Sequence, residues 1–253
     1  MTRIKHWLVP DWPAPANVHA ATTLRTGGVS PAPYFSLNPA AHVGDGADSV
    51  EQNRRIIRAM LDLPAEPVWL DQVHSNRAVK AKKPPCFPLQ EVGRDLQQAD
   101  AAYADESGVV CAVMTADCLP VLVCSTDGMQ VAAIHAGWRG LLAGVIGNTV
   151  AAMQRQNLLV WLGPAIGPDC FEIGAEVRDA FLEKSAAYNS AFKEQGGGKC
   201  LADIYQLARI ELAGLGITDV YGGTHCTVTE HERFYSYRRD TQTGRMATLI
   251  WRD

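Results

Sequence analysis

Residues 109–140 read VVCAVMTADCLPVLVCSTDGMQVAAIHAGWRG, and this stretch decides the fold. Val109 to Met114, Leu119 to Cys124 and Met129 to Ile134 are short apolar runs separated by polar breaks. Runs of this length, bounded by turn residues, read as apolar strands. The first break holds Thr115-Ala116-Asp117-Cys118, and the last run ends on His135. Ala136 to Gly140 then turns the chain into a helix predicted over Arg139 to Gln156. Leu142, Val145, Ile146, Val150 and Met153 recur there at helical spacing.

Outward from this centre the same reading continues. Val18 to Thr23 is β-like, and Asp48 is placed to cap a helix running to Leu63. Val68 to Val73 reads as a strand with His74 at its end. Downstream, strands are predicted at Leu158 to Leu162, Ile217 to Tyr221, Phe234 to Arg238 and Met246 to Trp251. Helices fit Gly174 to Lys184 and Leu201 to Leu215, with a flexible loop at Gln195 to Lys199. Strands and helices alternate without a strict βαβ rhythm. Mixed β-sheets in a layered α/β (α+β) domain follow. No linker divides the chain, so a single domain over residues 1–253 is expected.

Composition narrows the function. Lys and Arg number 23 against 27 Asp and Glu, for a net charge of −4, which leaves no basic footprint for nucleic acid. Lys80, Lys82 and Lys83, followed by Pro84 and Pro85, read as a solvated loop. The N-terminus has no apolar leader, and no run approaches the roughly 18 apolar residues of a membrane span. Seven cysteines, among them Cys111 and Cys124 inside apolar runs, suit a reducing compartment. A cytoplasmic monomer with no membrane or nucleic-acid partner is expected. Neither G-x-G-x-x-G nor G-x-x-x-x-G-K-[ST] occurs.

The chemistry centres on the histidines, of which there are seven. His135 follows an apolar strand and precedes glycines that let a ligand approach the backbone. Cys118 stands at the mouth of a neighbouring strand, and His74 ends another. Two imidazoles and a thiolate are good zinc ligands, and three protein ligands leave one position open for catalysis. The plain alternative is a core histidine, an exposed histidine and a buried cysteine. Arg139, at a helix start beside His135, is placed either to hold an anion or to pack on Trp138. Arg25 with Gly27-Gly28 is a second anion candidate or a plain turn. Asn38 and His42 offer hydrogen bonds to a ligand or hold their own loop. Asp100 is a candidate to orient a ligand imidazole; Asp117, next to Cys118, would face away in an extended chain. Arg238 and Arg239 with Tyr235 and Tyr237 read as a solvated strand edge.

Seven blocks carry a family resemblance: TTLRTGGVS (22–30), SLNPAAHVGD (36–45), WLDQVHSN (69–76), TADCLPV (115–121), AIHAGWRG (133–140), GPAIGP (163–168) and FYSYRRDTQTGRM (234–246). In this order they resemble the laccase-domain, or polyphenol oxidase, family, described as zinc-dependent purine nucleoside phosphorylases with adenosine deaminase activity. The resemblance implies an α-β-β-α layering and a zinc ion held by His74, Cys118 and His135, which also carry the chemistry. It implies adenosine, inosine, guanosine or S-methyl-5′-thioadenosine as substrates, with phosphate as co-substrate. Arg139, Arg25, Asn38 and His42 are then the expected substrate-binding groups. Some bacterial members are described as peptidoglycan editing factors. That keeps open an amide hydrolase with Cys118 as nucleophile and His135 as base, acting on muramyl precursors. The older name implies copper, but the His-x-His pairs of multicopper oxidases are missing here.

Overall fold

The computed structural model describes residues 5–83 and 96–253, which leaves Pro84 and Pro85 of the basic loop outside. The three central runs become β5 (Cys111–Thr115), β6 (Leu119–Ser125) and β7 (Val131–Ala136). They do not share one sheet. β5 closes a four-stranded sheet in the order β1 (Trp7–Leu8), β2 (Val18–Thr23), β13 (Met246–Arg252), β5, antiparallel throughout. β6 and β7 lie inside a six-stranded mixed sheet in the order β12 (Val220–Gly222), β8 (Leu158–Leu162), β6, β7, β4 (Ala101–Ala104), β3 (Ala78–Lys80). Its outer pairs, β12 with β8 and β3 with β4, are parallel. The Ala116 to Cys118 segment is therefore the crossing from one sheet to the other.

Side-chain alternation sorts the residues into layers. Leu119, Val121 and Val123 of β6, with Ala132 and Ile134 of β7, join Leu141, Val145, Ile146, Leu207 and Leu212 in a core under the helices. The opposite set, Leu122, Cys124, Val131 and Ala133, meets Cys111, Val113 and Ile250 of the other sheet in a core between the sheets. The far face of the four-stranded sheet packs Ala112, Met114, Ala247 and Leu249 against Ile57. Ile57 lies on α1 (Ala47–Met60). The order is α-β-β-α, as expected. Burial on both faces is why these strands are continuously apolar.

Several local expectations are corrected. The helix predicted over Arg139 to Gln156 is two helices, α2 (Trp138–Ala143) and α3 (Val145–Met153). Gly144 separates them at φ 85°, a left-handed conformation in which the helix cannot continue. Lys184 Nζ donates to the carbonyls of Leu141 and Leu142 at the end of α2, at 3.4 and 3.2 Å. Val68 to Val73 is no strand and makes only isolated bridges, Val68 to Cys111 and Asp71 to Gln98. The Gln72 side chain replaces the ladder there: it donates to Met114 O at 2.8 Å and accepts from Met114 N at 2.7 Å. Gln195 to Lys199 is the tip of a hairpin, β10 (Phe192–Gly196) with β11 (Lys199–Ala202), whose three glycines all have positive φ. With β9 (Glu172–Gly174) this hairpin forms a three-stranded sheet beside α4 (Ala175–Lys184).

The helix predicted from Leu201 starts later, as α5 (Ile204–Gly214), because Asp203 accepts from Tyr205 N and Gln206 N at 2.9 and 3.0 Å. Phe234 to Arg238 is no strand either. Phe234 and Tyr235 are both fully buried, so alternation fails, and Ser236 caps the single turn α6 (Tyr237–Asp240) by accepting from Arg239 N at 3.2 Å. Asp48 lies in the first turn of α1, with Gly46 at its cap position.

Candidate active site

Three separate segments bring the sequence-predicted trio together. His135 lies near the end of β7 on the side facing the other sheet, Cys118 lies in the crossing between sheets, and His74 follows the segment braced by Gln72. One ligand atom from each of His74, Cys118 and His135 lies within 4.8 Å of the others, the one such cluster among the described residues. Cys118 Sγ is 3.8 Å from His74 Nε2, and the two imidazoles meet edge to face at 4.8 Å. His135 is buried, Cys118 partly exposed and His74 exposed, so the group opens on one side.

The backbone is bent to make this fit. His74 and Asp117 adopt φ of 59° and 88°, which side chains other than glycine reach only at a cost. Asp117 is held there by Thr227 Oγ1 and by Arg238 N, each donating to its carboxylate at 2.6 Å. A Cβ on Gly137 would sit 2.9 Å from Cys118 Sγ and 3.1 Å from His74 Cδ2, so glycine is what the trio leaves room for.

Asp100 organises the ligands. Fully buried, its Oδ1 takes a 2.8 Å hydrogen bond from His135 Nδ1 and a 3.0 Å bond from His74 N. Its Oδ2 accepts from Ser75 N and Ser75 Oγ at 2.6 and 2.7 Å. A carboxylate that holds one imidazole nitrogen turns the other towards a metal. Burial works against the charge on Asp100, but the His135 and Ser75 hydrogen bonds outweigh it and hold the carboxyl at about 2. Burial likewise pushes the Cys118 thiol up, and the His135 and His74 imidazoles bring it down to about 6. His135 is pushed down by burial but raised to about 9 by Cys118 and Asp100. The cysteine is thus poised as a thiolate, the form that binds metal. Two imidazoles and one thiolate, with an open fourth side, fit zinc; copper shares these donor types.

The trio forms the floor of a cavity of about 380 Å³. Trp138, Ile166 and Phe171 give it apolar lining and Arg139, Arg238 and Arg245 cationic lining. His42 also lines it, where burial and the Arg245 charge lower the His42 pKa and favour its neutral ring. His42 and Arg139 thus lie where the sequence suggested. The Arg139 guanidinium stacks 4.2 Å from the Trp138 ring, so packing and a place at the cavity go together. Arg25 and Asn38 do not line it. Arg25 stacks over Tyr235 and donates to Phe35 O and His231 O, bracing its turn. Asn38 is fully buried, bonded to Ala40, Asp45 and the Arg245 N–H, and holds its own loop. Tyr237 and Arg238 line the cavity instead of a solvated edge, because the chain there turns into α6. Sequence reasoning missed Arg245 and Gln72, which lie inside the blocks at 234–246 and 69–76 but are not metal-ligand residue types.

A family model described as multi-copper polyphenol oxidoreductase laccase matches residues 19–253. The chain belongs to this family. Among its laccase-family relatives, the purine nucleoside phosphorylase YfiH of Escherichia coli (strain K12) is 53% identical over 96% of this chain and 98% of its own length. The purine nucleoside phosphorylase PA4543 of Pseudomonas aeruginosa is 52% identical over 97% and 98%. A crystal structure of the Neisseria meningitidis protein NMB0706 superimposes with a TM-score of 0.90 at 49% identity, covering 98% of this chain and all of that one. YlmD of Geobacillus stearothermophilus gives 0.91 at 31% identity, covering 100% and 98%. The layering is therefore the family's own, and the relatives' names support an enzyme.

Proposed function

We propose that the chain is a zinc-dependent phosphorylase of purine nucleosides, with adenosine, inosine, guanosine and S-methyl-5′-thioadenosine as the candidate substrates. The observation that carries this reading is the His74–Cys118–His135 group in a cavity lined by both aromatic rings and arginines, with Arg139 over Trp138 and Arg238 over Phe171. Relatives at about half identity bear the phosphorylase name, and a purine plus a phosphate need those two kinds of lining. His74, Cys118 and His135 would hold the metal, which would supply Lewis-acid polarisation of a substrate atom. Asp100 keeps His135 in one tautomer and braces the His74 backbone. Trp138 and Phe171 receive the flat purine, and the cationic lining receives phosphate. In phosphorolysis a phosphate oxygen bonds to the ribose C1′, the bond to the purine nitrogen breaks, and the proton goes to the purine. Deamination of adenosine at the same centre is a second activity within this proposal. The unpaired thiols of the described cysteines suit a cytoplasmic setting.

The direct assay incubates the protein with inosine, with and without inorganic phosphate. Phosphate-dependent hypoxanthine, matched by ribose 1-phosphate and lost in Cys118→Ser, is the expected result. Phosphate-independent or absent cleavage would remove the phosphorylase reading. One observation favours a second reading: the Cys118, His135, Asp100 chain also has the arrangement of a thiol nucleophile, base and orienting carboxylate. On that reading the protein is an amide hydrolase of muramyl precursors. The accessibility of Cys118 separates the two.

A further inference from the structure

His42 and Arg245 border two openings at once. Both, together with Tyr237, line the cavity above the His–Cys–His group and also a neighbouring surface cleft bordered by Val43, Thr241 and Thr243. Arg245 is set in place by its backbone, whose N–H donates to Asn38 Oδ1 at 3.0 Å just before β13 begins. Its Nη1 donates to the carbonyls of Thr243 and Gly244, at 2.9 and 3.0 Å. Nε and Nη2 make no protein hydrogen bond among the described residues, and neither does the His42 ring.

A second kind of observation marks the same spot. Thr243 is 2% exposed, yet its buried hydroxyl has no hydrogen-bond partner among the described residues. The same holds for Thr115, also 2% exposed, on the cavity side. Thr115 pairs with Met246, the residue after Arg245, across β5 and β13, and Thr243 lies two residues before the arginine. Buried hydroxyls are normally satisfied, and two unsatisfied ones beside a half-used guanidinium call for a ligand rich in acceptors.

We propose that Arg245, His42 and Thr243 form the subsite for the attacking inorganic phosphate, which enters by this second cleft while the nucleoside enters over Trp138. The assignment rests on the phosphorylase reading for the ligand's role, but the binding of a tetrahedral oxyanion does not depend on turnover. Arg139, stacked on Trp138, borders the main cavity and not the cleft.

The test measures inorganic phosphate binding by calorimetry, without nucleoside, alongside phosphate and inosine KM, for wild type, Arg245→Gln, Arg245→Lys, Thr243→Val and Arg139→Ala. Arg245→Gln should weaken phosphate at least ~10-fold and Thr243→Val several-fold, with inosine KM within about twofold of wild type. Arg245→Lys, which keeps charge but loses the fork, should fall between and controls for folding, as does retained metal. If wild type binds phosphate through Arg245 but forms no ribose 1-phosphate, the subsite stands and the phosphorylase reading fails. If phosphate binding follows Arg139 and ignores Arg245, the proposal is overturned. It is equally overturned if Arg245→Gln spares inorganic phosphate and weakens only inosine 5′-monophosphate, since the subsite then serves a nucleotide's own phosphate.

Discussion

Cys118 and Cys111 show how one residue type takes opposite characters in a single chain. Cys111, fully buried between the sheets, is pushed up to about 12 by burial alone, while Cys118 is brought down to about 6 by two imidazoles. With metal bound, the Cys118 thiolate should resist alkylation; after chelation it should react fast, with Cys111 and Cys124 inert throughout. Cys118 is an acid of lowered pKa, so the stripped protein's labelling rate should stay high above pH 6 and fall as pH drops through that value. Peptide mass mapping locates the label. Rapid labelling of Cys118 in metal-replete protein, with loss of turnover, would favour the hydrolase reading. At this scale the sequence was informative where chemistry follows from residue type: a cysteine and two histidines at strand ends announce themselves. Arg245 and Asn38 did not, because whether a polar side chain meets a ligand or its own loop depends on contacts more than 200 positions apart, as in the Arg245 to Asn38 bond.

Elements were legible where one periodicity dominated. β2 and β8 have the bounds read from the apolar runs, and α4 begins one residue later than its expected start. Legibility failed where side chains replaced backbone pairing, as Gln72 does for Met114, or where caps overrode pattern, as Asp203 and Ser236 do. The turn between β7 and α2 is the element on which the site depends most. Gly137 lies against Cys118 and His74, so Gly137→Ala should push the thiolate or the imidazole away. Metal affinity, measured by competition with a chromophoric chelator, is expected to fall ~10–100-fold, while the circular dichroism spectrum stays that of wild type. Unchanged affinity would mean that the trio tolerates a shift the geometry forbids. Gly144 differs: its φ of 85° ends α2 and starts α3, and its nearest side chains are Glu211 and Lys184 rather than the trio.

At the scale of the molecule, the two sheets place the site. The chain crosses between them at Cys118, so the candidate metal ligands sit where the two sheets meet at one end, with the helical layer supplying Trp138 and Arg139. The alternation of apolar strands with helices carried a layered α/β domain, and the family blocks implied its α-β-β-α order, but neither carried the division of the strands between sheets, since burial on both faces looks alike in either. The central claim is that this meeting point holds one catalytic metal. Purify the full chain without chelators and measure metal by mass spectrometry for wild type, Cys118→Ser and His135→Ala. About one zinc per wild-type chain, lost from both folded variants, is the predicted result. Folded wild-type protein with no stoichiometric metal, or with zinc retained equally in both variants, would contradict it.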